Sequence, residues 1–116
     1  MNRSALFIVS TDPRQSHRPA EAVRIAAGIL PWKKIRVRLY FHVPLVHALL
    51  HQPDIMLGLD SMQRFYPILD QEPMTVFGPD HLNSRFELGG NHYHLNPVSP
   101  TGLHELQTEC TWLLHF

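Results

Sequence analysis

The hydrophobic pattern along the chain divides it into alternating strand-like and helix-like units. Ala5-Leu6-Phe7-Ile8-Val9 is apolar at every position. That pattern suits a strand buried on both faces, as at the centre of a parallel sheet sandwiched by helices. Thr11 to Arg18 then supplies Asp12, Pro13 and hydroxyl residues, the punctuation of a loop, and Pro19 suits the first turn of a helix reaching to about Leu30. Within it Val23, Ala26, Ala27 and Leu30 share one helical face, and Pro31 ends the pattern. A second strand is written in Ile35 to Phe41, where apolar residues alternate with Arg36, Arg38 and Tyr40. A helix joining two strands predicts a right-handed parallel crossover, and the alternation places this second strand near a sheet edge.

The middle of the chain is broken by Pro44, Pro53, Pro67 and Pro73. Pro44 can open a helix through Leu50, and Asp60 with Gln63 reads as a capping box for another through about Leu69, kinked or shortened by Pro67. Met74 to Phe77 reads as a short strand ended by Gly78-Pro79, and Gly89-Gly90 as a turn before a fourth strand at His92 to Leu95. Ser99 or Thr101 can cap a helix through Glu109, followed by a closing strand from Thr111 to Phe116. The expected fold is α/β: a single domain over residues 1–116, with a mostly parallel sheet of about five strands and helices on both faces, a flavodoxin-like three-layer arrangement.

Composition narrows the functional classes. A hydrophobic fraction of 44% in 116 residues supports one folded core. Ten basic residues balance ten acidic ones without a dense cationic run, so no nucleic-acid partner is expected. No apolar stretch reaches the roughly 18 to 20 residues of a membrane span. Neither an ordered secretory leader nor a second cysteine is seen, so no membrane partner and a reducing, cytoplasmic location are expected.

The arrangement resembles the DsrE/DsrF-like family of sulfur-relay proteins in three places. Ile8-Val9-Ser10-Thr11-Asp12-Pro13 with Glu21 to Ala26 is similar to that family's opening strand, Asp-Pro loop and helix. Ile35 to Phe41 leading into His42-Val43-Pro44 is similar to its second strand and following loop. Leu103 to Leu106 through Trp112 to Phe116 is similar to its closing helix and strand. The resemblance implies a DsrE-like domain and an assembly of such domains, a homotrimer, a hexamer or related subunits. It also implies, for catalytic members, a persulfide-forming cysteine in a loop after a middle strand. This chain has Gly78-Pro79-Asp80-His81 there. Neither Asp80 nor His81 can hold a persulfide, so the resemblance implies a non-catalytic accessory or assembly subunit.

The residues also allow other chemistry. In open parallel sheets ligands bind beyond the carboxyl ends of the strands. That rule gathers Asp12, His17, His42, Asp80 and His81 into a candidate cluster whose imidazoles and carboxylates could do acid-base work or hold a metal. A small enzyme using Asp12, His42 and His81 is the alternative function, although with nine histidines in the chain scattered surface positions explain the same residues. His92 and His94 fall on one face of a strand but supply only two ligands, so no metal site is assigned and the cofactor is left unknown. Cys110 lies in an apolar context with no Lys or Arg beside it in sequence, which reads as a small buried hydrophobe. Arg36 and Arg38 read as a solvated strand face, with an anion or a partner subunit as the alternative. Thr11 to Arg18 holds no glycine, against a phosphate-binding loop, and a lone Asp12 cannot build a receiver-type magnesium pocket.

Overall fold

The computed structural model describes residues 3–82 and 85–116. Strand β1 (Ser4–Val9) is followed by helix α1 (Arg18–Ile29), strand β2 (Arg36–Phe41) and helix α2 (Val43–His51). Helix α3 (Leu59–Asp70) leads to β3 (Val76–Pro79) and then to a hairpin of β4 (Arg85–Leu88) and β5 (Asn91–His94). Strand β6 (Asn96–Val98), helix α4 (Pro100–Glu109) and strand β7 (Trp112–His115) complete the order. Five strands form one sheet in the order β6-β3-β2-β1-β7, every neighbouring pair parallel. Among the described residues no helix is long and apolar enough to cross a membrane.

Alternation along β1 and β2 creates two unequal cores. Ala5, Phe7 and Val9, with Val37, Leu39 and Phe41, face the larger one. It is filled by Ala22, Val23 and Ala26 of α1, Leu45 and Leu49 of α2, and Met62, Tyr66 and Leu69 of α3. The hairpin seals this core, with Phe86 and Tyr93 packing their rings around Tyr66 at centroid distances of 5.5 and 4.9 Å. Leu6, Ile8, Tyr40 and Phe77 point the other way, under Leu103 and Leu106 of α4. Helices therefore lie on both faces, three on one and a single amphipathic helix on the other.

Several expectations about the elements are corrected. β2 is the central strand, not one near an edge. Its alternation arises because Arg36 and Arg38 sit at the amino end of the face that only α4 covers, while Tyr40 on the same face is buried. The strand expected at His92 to Leu95 forms as β5, but outside the main sheet, pairing antiparallel with β4 in a separate two-stranded sheet. Strand β6 escapes sequence reading because it is three residues long and contains Pro97, which an edge position tolerates. Helix α3 starts before the expected capping box, with Gly58 as N-cap, so Asp60 falls within its first turn. Pro67 does not end it, because Tyr66 and Leu69 anchor both sides of the proline in the core. At α4 the hydroxyl of Ser99 accepts from the Gly102 N–H at 3.0 Å, so Ser99 is the cap.

Gly58 fixes how α3 meets α1. Its φ of +74° lies in the left-handed region, and a Cβ there would stand 2.6 Å from the Ala20 Cβ. Gly58→Ala therefore combines backbone strain with a helix-helix clash, and should lower stability by about 1–3 kcal/mol, read as the urea unfolding midpoint. An unchanged midpoint would mean that α1 and α3 can separate freely at this point.

Candidate functional site

The carboxyl ends of β1, β2, β3 and β7 open onto one edge of the sheet. The loop after β1 is stitched to the end of β7. Ser10 and Thr11 donate their N–H groups to the Phe116 oxygen at 2.9 and 3.2 Å, and Phe116 N–H donates to the Ile8 carbonyl at 2.8 Å. Arg18 reinforces the stitch, donating from Nη2 to the His115 carbonyl at 2.6 Å and lying 5.5 Å from the Phe116 ring centroid. Phe116 in turn packs its ring on Phe7, at 4.9 Å.

Asp12 is committed within this loop. Arg14 donates from Nε to both carboxylate oxygens at 3.0 and 3.2 Å, from Nη2 at 2.7 Å and from its backbone N–H at 2.9 Å. These bonds hold the Asp12 carboxyl below its usual pKa and occupy both oxygens, so the residue acts as a loop clasp. His17 precedes α1 and turns toward the start of α3, its Nδ1 3.4 Å from where a Gly58 Cβ would lie.

His42 is placed differently. It is the N-cap of α2, and its N–H donates to the Val9 carbonyl at 3.0 Å, fixing the loop against β1. Its ring meets Tyr40 edge to face at 4.9 Å. Burial, and secondarily the neighbouring His115, lower the His42 pKa, whereas burial, aided by Asp80, raises that of the Tyr40 phenol. The fold thus brings Tyr40, His42, Asp80 and His115 into one electrostatic neighbourhood. At neutral pH it holds a neutral imidazole that can accept a proton beside a phenol that keeps its own.

Asp80 and His81 are exposed neighbours, Oδ1 to Nδ1 3.9 Å apart. His81 belongs to another feature, an open cleft of about 480 Å³ between α2 and the hairpin, which it lines with His47, His51 and His92. The rings of His47 and His51 stand 5.6 Å apart, and His92 lies 3.7 Å from Glu87. Only the four-residue spacing of His47 and His51 on a helix could have signalled this grouping in advance. His94 sits opposite Arg85 across the hairpin. Among the described residues no three His, Cys, Asp or Glu side chains are grouped to hold a metal ion.

Cys110 lies at the opposite edge of the sheet. It follows α4, and the next residue, Thr111, donates its N–H to the Ser4 carbonyl at 2.8 Å, at the amino end of β1. The thiol is half-buried and donates to the Gln107 carbonyl at 3.2 Å. No Lys or Arg stands beside it in sequence, but the fold brings one near. Glu109 and Cys110 both act on the Arg38 guanidinium, which the sheet brings across from β2.

The fold is that of a flavodoxin-like α/β domain with a five-stranded parallel sheet. It is similar over 100% of both chains to the crystal structure of the ychN protein from E. coli, with a TM-score of 0.70 and 16% sequence identity. The likeness extends over the whole architecture, the parallel sheet with helices on both faces that the sequence pattern predicts. No family model matches the chain, and no curated protein matches it in sequence.

The depressed His42 pKa gives a signed pH prediction. An unfolded histidine titrates near 6.5, above the folded value, so the unfolded chain binds the extra proton first. The stabilisation is complete above about pH 6.5 and is lost as pH falls through the folded pKa. His42→Gln should flatten that part of the stability-pH curve, and the His42 ring resonances should titrate below those of a free imidazole by NMR. A His42 that titrates at or above 6.5 would refute the assigned environment.

Proposed function

We propose that the chain is a subunit of a homo-oligomer of DsrE-like domains, a trimer or hexamer in the cytoplasm. In it the chain serves as an accessory or assembly component linked to sulfur transfer, without carrying the persulfide itself. The observation that carries this reading is strand β7. Trp112, Leu113 and Leu114 are 42%, 43% and 40% exposed although the strand is paired along its whole length with β1. Their register with Ala5, Leu6 and Phe7 puts Trp112 and Leu114 on the α1 face and Leu113 on the α4 face. Parallel strands are ordinarily covered on both sides, and an apolar edge left bare invites pairing. A second copy would cover both faces of that edge at once.

The chemistry of the two ends of the sheet supports a non-catalytic role. The loop after β3 offers Asp80 and His81, neither of which accepts sulfur, and Cys110 lies at the other edge of the sheet from that loop. A second reading, a small acid-base enzyme, draws on Tyr40 and His42, whose shifted protonation equilibria suit proton transfer. Asp12 would have to leave Arg14 to join it.

Light scattering on the purified protein should give a mass that is a multiple of the 13.4 kDa chain. Leu114→Lys and Leu113→Lys should each drive it toward the monomer. A wild-type monomer at micromolar concentration, or variants that keep the full oligomer mass, would sink the proposal. Incubation with polysulfide followed by native mass spectrometry should leave the mass unchanged, and a stoichiometric sulfur adduct on Cys110 would replace the accessory role with a sulfur-carrying one.

A further inference from the structure

The amino ends of the strands hold the chain's main charge asymmetry. Of its ten Lys and Arg residues, Arg3, Lys33, Lys34, Arg36 and Arg38 line a single cleft of about 690 Å³, together with only two carboxylates, Glu72 and Glu109. The protein as a whole has a formal charge of zero, so a surplus of three positive charges here is local. Glu72 is occupied, accepting from Lys33 Nζ at 2.7 Å. Glu109 acts on the Arg38 guanidinium but forms no ion pair with it among the described residues.

The geometry differs from that of a solvated strand face. Arg36 and Arg38 are two residues apart on the central strand, so they project from one face, about 7 Å apart at the backbone. The Nε of Arg38 is out of contact with solvent and has no hydrogen-bond partner. Burial first, and then the like charge of Arg36, disfavour the Arg38 cation. Two like-charged guanidinium groups stand on one face with no ion pair to either among the described residues, a cost that an anion carrying several acceptor oxygens would relieve at their terminal nitrogens.

We propose that this cleft binds a small phosphate-bearing anion, gripped by the guanidinium forks of Arg36 and Arg38 with the Lys34 ammonium as a further charge. Guanidinium groups match phosphate oxygens in bidentate fashion, and two of them with an added lysine suit a group bearing more than one negative charge. The volume falls within the range of ordinary small-molecule sites. The cleft is separate from the strand-end cluster and does not depend on the oligomer reading.

The test is calorimetric titration of the whole protein with inorganic pyrophosphate at fixed low ionic strength, with succinate as a parallel ligand. Pyrophosphate should saturate one site per chain, weaken as NaCl is raised, and lose about tenfold or more in affinity in Arg38→Gln and in Arg36→Gln. Arg64→Gln, an exposed change on α3 outside the cleft, should bind like the wild type. Because Arg36 is exposed, its variant keeps the test decisive if Arg38→Gln fails to fold. Absence of saturation, equal affinity in Arg36→Gln, or succinate binding as tight as pyrophosphate would overturn the proposal.

Discussion

The structure depends on β1 being buried from both sides while it is hydrogen-bonded along both edges. Its alternate side chains feed two cores, Ala5, Phe7 and Val9 into one and Leu6 and Ile8 into the other, and its backbone pairs with β2 and β7. Burying a side chain such as Phe7 or Leu6 contributes about 1.5–3 kcal/mol each, so this strand alone supplies a large share of the drive to fold. Parallel pairing also brings the chain's opening and closing elements into register. That is how Phe116 comes to accept from Ser10 and Thr11, and how Cys110 comes to neighbour Arg38.

The two layers covering the sheet are unequal. Three helices and the hairpin close the larger core, whereas α4 alone covers the smaller one and has no fully buried residue of its own. Coverage is incomplete at two places. At the β7 edge Trp112 and Leu114 on the α1 face and Leu113 on the α4 face stay partly bare. At the amino end of β2 Arg38 is half-covered and Arg36 is exposed. The two features have separate origins, since Trp112 and Leu114 lie on the α1 face whereas Arg36 and Arg38 lie on the face that α4 covers.

At the carboxyl edge, function is limited by how many candidate groups are already employed. Asp12 spends both oxygens on Arg14, and His17 lies against the start of α3. His42 keeps a free imidazole because its backbone alone does the structural work of joining α2 to β1. Free functional side chains on structurally fixed backbones are the usual makings of a site, and Tyr40 and His42 meet that description better than the acidic residue that the loop motif singles out.

By itself the sequence determined the α/β class, the first strand-helix-strand unit and the closing helix and strand. In those segments the period of apolar residues is long enough to specify the element, and Pro19 and Ser99 mark helix starts chemically. It also determined that the loop after β3 holds no thiol. Tertiary structure alone decided the strand order, because alternation in β2 is the same whether polar residues meet solvent at an edge or a cleft at the centre. It alone decided the hairpin, whose four-residue strands carry too little periodicity to reveal their partner. The sites belong to the same class. His42 with His115, Arg38 with Cys110, and His47 with His92 are pairs brought together only by sheet register and helix packing, interactions between residues far apart in the chain that no local pattern encodes.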